Sequence, residues 1–480
     1  MINKYLDITF YTKNEIFKNS FFGIITNILQ NILLSIFFIL VARHYSTEDF
    51  GNYIISNTIY SFILGFSTLG LGNWFIRELI NVTEKNKLIN QFLKIQIIIG
   101  ITFLVINNLV AYSLYENETI RYLSLIFGFN IVFDNIIYVI KYINIANGEQ
   151  HKSFVLTTIE SILKLALAGL LLITKINIEV LCILLIALRI TTLVLFIKLN
   201  STNKIQLKEI AKLNLSYNEV KNIIKNNWAF IIIGSISIIN WRIGNIFVSK
   251  YLTIKDVVNY EISFKLLSII YIIPIIISNT VYPVLVNKIN TSIIEVKKTY
   301  RNIFILYSLF GFLSYTLIYA YADKLIPLLF GNKYLDTAQY CKEMFLVILI
   351  FPTLYLQANL LVAMRLEKID MICNLVSLSI NVICCALGLL FFKTLTVVNY
   401  GIFLSFLFFH VIQDFVLIKN KMSTIKDTLI FYLSIIIGVL TFQLSSKFLF
   451  HKLTFIMFWL IILVFAIFRL KKATKFLNPA

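Results

Sequence analysis

The sequence predicts an all-α, polytopic membrane protein of about fourteen transmembrane helices, and three observations carry that expectation. Hydrophobic residues make up 59% of the 480 and charged residues only 14%, with mean hydropathy +0.84, where soluble domains carry about a quarter charged residues. Apolar runs reach twenty residues and more, enough for a helix to cross about 30 Å of hydrocarbon, whereas a membrane barrel shows alternating segments of about ten. Finally, VARHYSTEDFGNY at Val41 to Tyr53 returns 207 residues later as VSKYLTIKDVVNY at Val248 to Tyr260, with Val, Asp, Asn and Tyr in register.

The expected spans lie at 21–42, 51–74, 95–114, 122–140, 153–174, 178–197, 227–249, 256–286, 302–322, 343–364, 370–392, 396–418, 428–446 and 453–468. Before the first, Lys4, Lys13 and Lys18 lie in a stretch with no small-residue cleavage site, so no removable signal peptide is read there. Placing the N-terminus inside gives 28 Lys and Arg in cytoplasmic segments against 11 outside and four within spans, the bias that sets both termini in the cytoplasm. The net charge of +19 therefore follows topology, and with no basic cluster interleaved with aromatics it does not indicate nucleic acid. Cys182, Cys341, Cys373, Cys384 and Cys385 lie in or beside apolar segments without CxxC spacing, which points to neither a disulfide framework nor a metal site.

After span six the chain is polar. Lys204, Lys208 and Lys212 recur every fourth residue beside Leu207, Ile210 and Leu213, the pattern of a basic amphipathic helix on the inner leaflet or of a solvated linker helix. This divides the chain into an N-terminal six-helix bundle (1–200), a linker (201–226), a C-terminal six-helix bundle (227–420) and two added helices (421–480). Six crossings separate the repeated stretches, so the halves run the same way through the bilayer, a parallel repeat about an axis along the membrane normal. A second echo aligns NGEQHKSFVLTTIESILKLALAGLLL with RLEKIDMICNLVSLSINVICCALGLL at an offset of 218, placing Glu149 on Glu367 and Ser161 on Ser379. Two such bundles around a central cavity are expected to rock between inward-open and outward-open forms.

The chain resembles the polysaccharide or O-antigen (Wzx-type) flippases of the multidrug/oligosaccharidyl-lipid/polysaccharide (MOP) exporter superfamily, with a MATE-like fold. The resemblance is carried by VARHYSTEDFGNYIISNTIYSFILGFSTLGLGNWFIREL, by INWRIGNIFVSKYLTIKDVVNYEISFKLLSIIYIIPIIISNTVYPVL and by LIPLLFGNKYLDTA, within about residues 20 to 420. It implies a flippase that turns undecaprenyl-diphosphate-linked oligosaccharide repeat units across the bacterial inner membrane. The implied partners are an anionic lipid-linked oligosaccharide, membrane lipids, a polysaccharide polymerase and a chain-length regulator. In the family a carboxylate often follows the span-seven arginine by two positions; here Arg242 is followed by Ile243, Gly244 and Asn245.

Ionisable side chains inside spans are costly and mark candidate sites. Arg189, Arg242, Lys164 and Lys265 are the candidate substrate-binding cations, since a diphosphate crossing the bilayer needs cationic donors and a guanidinium grips phosphate oxygens in two places. Snorkelling to the interface or structural ion pairing is the alternative for each, with Glu261 four residues before Lys265 as one such partner. Asp134, Glu160, His410 and Asp414 are the candidates for H⁺ or Na⁺ coupling; Glu160 also suits neutralising Lys164, and His410 suits a buried hydrogen bond. No other cofactor is expected. Pro274 and Pro352 are candidate kinks, and Tyr138 and Tyr142 candidate sugar-stacking rings or simple packing residues.

Other functions fit less well. A lipid-linked peptidoglycan-precursor flippase shares the two terminal spans, and a multidrug exporter of cations would call for acidic residues. A membrane polysaccharide polymerase or glycosyltransferase needs a catalytic loop, and no phosphate loop, zinc motif or nucleophile elbow is present. A non-enzymatic transporter is the expectation.

Overall fold

Helices account for every long element in the computed structural model, which describes residues 3–199, 221, 223, 225, 228–289, 291–448 and 452–460. In chain order they are α1 (Asn3–His44), α2 (Thr47–Ser67), α3 (Gly72–Asn81), α4 (Lys85–Leu114), α5 (Glu118–Ala146), α6 (Gln150–Leu170) and α7 (Ile178–Leu199). Then follow α8 (Trp228–Tyr251), α9 (Ile254–Ile289), α10 (Ile293–Phe330), α11 (Thr337–Met344), α12 (Phe351–Ala363), α13 (Glu367–Phe391), α14 (Leu395–Lys419) and α15 (Ile425–Phe448). Eleven described helices are long and apolar enough to cross a membrane, and the protein is a multi-pass, all-α membrane protein. The expected linker at 201–226 falls outside the described residues save for three positions, as does span fourteen beyond residue 460.

Two compact units divide the chain, one of Met1–Glu261 with Asn381–Val398, the other of Ile262–Ile380 with Asn399–Ala480. In the first unit α5 packs against α2, α3, α4 and α7, while α6 lies on α1 and α8 on α2. Two-thirds of the apolar stretch of α5 is buried, and its helix carries Asn130, Asp134, Asn135 and Asn144 inward. In the second unit α10 packs against α11, the 3-10 segment Phe345–Leu349 and α12.

The repeated stretches fold alike. Helices α1 and α8 end, and α2 and α9 begin, at the same 207-residue offset. Ser46 Oγ accepts the Asp49 N–H (3.0 Å) and Thr253 Oγ1 the Asp256 N–H (3.2 Å), each hydroxyl also donating to that aspartate (2.7 and 2.6 Å). The paired Ser/Thr and Asp positions are thus equivalent N-caps that stop one helix and start the next. At Gly51 the two copies meet, because a Cβ there would strike Ile254 and touch Val258 Cγ2. Gly51 and Val258 are themselves equivalent positions, 207 residues apart.

The second echo is present with its register corrected. The elbow after α5 and the elbow after α12 close with matching bonds, Glu149 N–H to Asn144 O (2.7 Å) and Leu366 N–H to Leu361 O (2.9 Å). Gly148 and Arg365 occupy the left-handed region at φ 74° and 61°. These pairs stand 217 apart, not 218, since the helix end sets the register and the matching glutamates sit one position astride it.

Two expected spans are broken. Span two stops at Ser67, turns through Leu69 (φ 51°) and Gly70 (φ 56°), and resumes as α3. Backbone groups freed inside a membrane must find partners, and side chains supply them: Gln96 Nε2 donates to Thr68 O (3.3 Å), and Asn135 Nδ2 to Ser67 O (3.4 Å). Ser67 Oγ donates to Asn135 Oδ1 (2.9 Å), and Gly72 N–H to Tyr138 OH (2.7 Å). Tyr138 and Tyr142, ring centroids 4.5 Å apart, pack under this turn, where any Cβ on Gly72 would strike the Tyr142 ring. In the second copy the position matching Ser67 is Pro274, inside α9, whose carbonyl accepts from Tyr307 OH (2.9 Å). Span ten breaks after the 3-10 segment, and Pro352 opens α12 at a position that needs no donor instead of kinking a continuous helix.

Gly51→Ala is expected to lower the thermal unfolding temperature in detergent, through overpacking of about 1–3 kcal/mol that exceeds the helix-propensity gain of about 1 kcal/mol. Adding Ile254→Ala should recover much of the loss. Unchanged stability of the single variant would contradict the close approach.

Candidate functional site

Four of the eight candidates meet in one cluster within the first unit. Arg189 on α7 donates from Nη1 to Glu160 Oε2 on α6 (2.6 Å) and from Nη2 to Asp134 Oδ1 on α5. Lys164, one turn after Glu160, pairs with Glu160 Oε1 (2.7 Å), and Tyr60 OH on α2 donates to Asp134 Oδ2. Asp134 and Glu160 are only 7% and 6% exposed, Arg189 18% and Lys164 27%, so the carboxylates are the deep part of the cluster. Lys141, two turns along α5 from Asp134, lies within electrostatic range of Glu160 and Lys164, with its ammonium 5.9 Å from the Phe196 ring centroid. The two cations and two carboxylates paired in the cluster cancel in charge.

Cancellation is what makes this arrangement tolerable among apolar helices. An isolated charge in hydrocarbon costs several kcal/mol, and removing one partner of a buried pair costs about 3–5 kcal/mol because the other is left uncompensated. The cluster ties three helices through one guanidinium. Chemically, a guanidinium pairs with a phosphate as well as with a carboxylate, and a proton on either carboxylate would weaken its hold on the cation.

Arg242 sits in a second group of the same unit. Its Nη1 donates to Glu261 Oε1 (3.3 Å), while Asn245 Nδ2 donates to Glu261 Oε2 (2.6 Å). The carboxylate missing two positions after Arg242 is thus supplied from the next helix, 19 residues along the chain. Lys265 belongs to the second unit.

His410 and Asp414 come together in the second unit. His410 Nδ1 lies 2.9 Å from Asp414 Oδ2 and 2.7 Å from Tyr432 OH, which itself donates to Asp414 Oδ2 (2.8 Å). Asp414 Oδ1 accepts from Gln357 Nε2 (2.6 Å), which also reaches Tyr300 OH (3.3 Å), and His410 Nε2 lies 3.0 Å from Thr353 Oγ1. His410 is fully buried, and its ring stacks on Phe431 at 5.1 Å. Asp414 therefore holds polar partners on both oxygens inside the span. Arg189 and His410, each nine residues before a terminal lysine, play parallel parts: each ties span six of its half to span four.

Sequence reasoning did not find Tyr60, Lys141, Asn245, Gln357, Tyr300, Tyr432 or the buried Glu343, which accepts from Asn399 Nδ2 (3.0 Å). Glu343 and Lys141 lie at span ends, where charge is ordinary, and the others are uncharged polar residues with no distinguishing spacing. Among the described residues no group of three or more His, Cys, Asp or Glu is placed to hold a metal.

A family model described as "Polysaccharide biosynthesis protein" matches residues 40–339. No curated protein sequence matches the chain. Among solved structures, one described as "Lipid II flippase MurJ, inward closed conformation" is similar with TM-score 0.71 at 16% identity, covering 92% of this chain and 99% of that one. An inward-facing multidrug resistance MATE family transporter of the MOP superfamily matches with TM-score 0.66 at 11% identity, over 83% and 96% of the two chains. An outward-facing transporter of the same description gives 0.60 at 12%, over 87% and 97%. At such identities these likenesses establish fold alone. With the family model covering well over half of its length, the chain belongs to the polysaccharide biosynthesis protein family, built on the fold shared by MurJ and the MATE transporters.

Proposed function

We propose that this protein is a flippase for undecaprenyl-diphosphate-linked oligosaccharide repeat units of O-antigen or capsule type. In this reading it works by alternating access in the bacterial inner membrane, with both termini in the cytoplasm and a polysaccharide polymerase and chain-length regulator as downstream partners. The observation that carries the proposal is the Arg189 cluster: a guanidinium held inside the spans by two carboxylates and accompanied by Lys164 and Lys141. The family membership supports a role in polysaccharide assembly, and the likeness to a lipid II flippase supports a lipid-borne cargo.

The chemistry follows from exchange. In the resting cluster Asp134 and Glu160 occupy Arg189. A proton taken up by one carboxylate removes a negative charge, leaves a surplus of cation, and makes the site attractive to a diphosphate. Loss of that proton restores the ion pairs and expels the phosphate, so protonation and substrate occupancy alternate at one guanidinium. Arg242 and Lys265 serve in the proposal as further contacts to the anionic head. His410 with Asp414 forms a second protonation site in the other unit, where a proton on His410 converts a neutral hydrogen bond to Asp414 into an ion pair.

A second reading, a lipid-linked peptidoglycan-precursor flippase, is favoured by the 0.71 TM-score to the lipid II flippase. Both readings use an anionic lipid head, and complementation separates them: rescue of surface polysaccharide in a strain lacking its repeat-unit flippase supports the first, rescue of peptidoglycan synthesis the second. A cation-exporting pump fits the cluster poorly, because its carboxylates are already engaged.

Arg189→Ala, compared at equal membrane abundance because it leaves two carboxylates without their guanidinium, is expected to reduce surface polysaccharide by about tenfold or more, with Arg189→Lys recovering part of it, since a lysine keeps charge but loses the two-pronged geometry. Normal export by the alanine variant would remove Arg189 from the site. Asp134→Asn should abolish the response of transport to an imposed pH gradient in proteoliposomes; a response identical to the parent would rule out Asp134 as the coupling group. His410→Ala, measured the same way, should halve or abolish the response if the second site also carries protons, and a parental response would reduce His410 to a packing residue.

A further inference from the structure

The second unit contains a cavity of about 580 Å³ whose lining includes none of the proposed substrate-binding cations, although Asp414 of the second protonation site reaches its wall. It follows α10 from Lys297 to Phe312, a rise of about 22 Å at 1.5 Å per residue, and α15 from Asp427 to Gly438. Lys297, Arg301 and Lys421 stand at one end, beside the first turn of α15, whose Asp427 N–H is capped by Thr424 Oγ1 (3.1 Å). Among the described residues Asp427 is the one acidic group lining that end, 3.9 Å from Arg301, so the end keeps a surplus of positive charge. Helix N-termini and clustered cations both favour an anion.

Deeper in, the lining turns apolar with Phe304, Leu309, Phe312, Ile435 and Phe458. Asp414 reaches the wall but is engaged by Gln357 and Tyr432. The far end is narrow: a Cβ on Gly438 would lie 2.9 Å from the Phe312 ring. Along the side, Ile305, Leu309 and Ile430 are exposed by 49%, 42% and 52%, and in a membrane span such side chains face acyl chains. The cavity is therefore open to lipid laterally, charged at the level of a helix end, and apolar over a depth close to one leaflet of about 15 Å.

We infer that this cavity is a binding site for an anionic phospholipid, with the phosphate at Lys297, Arg301 and Lys421 and one acyl chain between α10 and α15. A cationic amphiphile is repelled by the charged end, and a sugar finds few donors or acceptors in the apolar part. The narrow far end at Gly438 and Phe312 suits a single acyl chain about one leaflet deep. None of its cations belongs to the Arg189 cluster or to the proposed substrate contacts Arg242 and Lys265.

The test is native mass spectrometry of protein released from nanodiscs of equal phosphatidylglycerol and phosphatidylcholine. One phosphatidylglycerol is expected to stay bound in preference to phosphatidylcholine. Lys297→Gln/Arg301→Gln/Lys421→Gln should lower its retention by about a hundredfold, at about 1 kcal/mol per cation. Gly438→Leu, which fills the closed end with the cations intact, should also lower it, and Lys421→Gln alone, at an exposed turn, should give a smaller loss in a protein of parental thermal stability. Equal retention of phosphatidylcholine, or parental retention in the triple variant, would overturn the proposal. Competition by glycerol phosphate as strong as by the lipid would show a surface anion patch instead, and displacement by a polyprenyl diphosphate at equal concentration would reassign the cavity to the transported substrate; either overturns the phospholipid assignment.

Discussion

Within hydrocarbon every polar group must find its partner inside the protein, and that constraint organises this structure more than any other. Apolar packing alone does not fix how membrane helices associate, because lipid tails are as apolar as the helix surfaces. What singles out one arrangement here is polar pairing. Asn135 and Gln96 close the gap between α2 and α3, Asn381 Nδ2 reaches Asn240 Oδ1 (2.9 Å), and Arg189 gathers α5, α6 and α7 through two carboxylates.

The same pairing links fold to mechanism. A permanently charged residue with permanently charged partners is a structural tie, but a carboxylate partner can be neutralised by one proton. The tie then loosens without any change in the helices themselves. In the proposed mechanism Asp134 and Glu160 are the adjustable part of the first unit and Arg189 its constant part. In the second unit Asp414 is held on both oxygens, by Gln357 and by Tyr432, with His410 beside it; in the proposed mechanism the roles are reversed there, with His410 as the group that takes the proton. The two halves thus place a buried polar cluster at matching positions while building it from different side chains.

The repeat shows how conserved geometry tolerates changed chemistry. The N-caps Ser46 and Thr253, the elbows at Gly148 and Arg365 and the break at Ser67 against Pro274 occupy matching places, yet each uses different side chains. At the last of these, one copy interrupts its helix and satisfies the freed backbone from neighbouring helices, whereas the other keeps its helix and accepts the missing proline donor. The first copy gains a short amphipathic helix, α3, whose Trp74, Phe75 and Leu79 pack onto α4 and α5.

By itself the sequence determined the class of the protein, because crossing a bilayer demands long apolar helices and composition records that demand directly. It also marked Arg189, Asp134, Glu160, Lys164, His410 and Asp414, since charge in such runs is too costly to be incidental, and the spacing of four exposed the Glu160–Lys164 pair. Tertiary structure decided the rest. Asp134 lies 55 residues from Arg189 in the chain and Glu160 lies 29 from it, so no periodicity joins them. Glu261 reaches Arg242 from the following helix, and uncharged partners such as Tyr60 and Gln357 leave no mark in hydropathy. The breaks in spans two and ten were hidden for the same reason: an apolar run reports that a segment is buried in the membrane, while the continuity of its helix depends on which neighbouring side chains can satisfy an opened backbone.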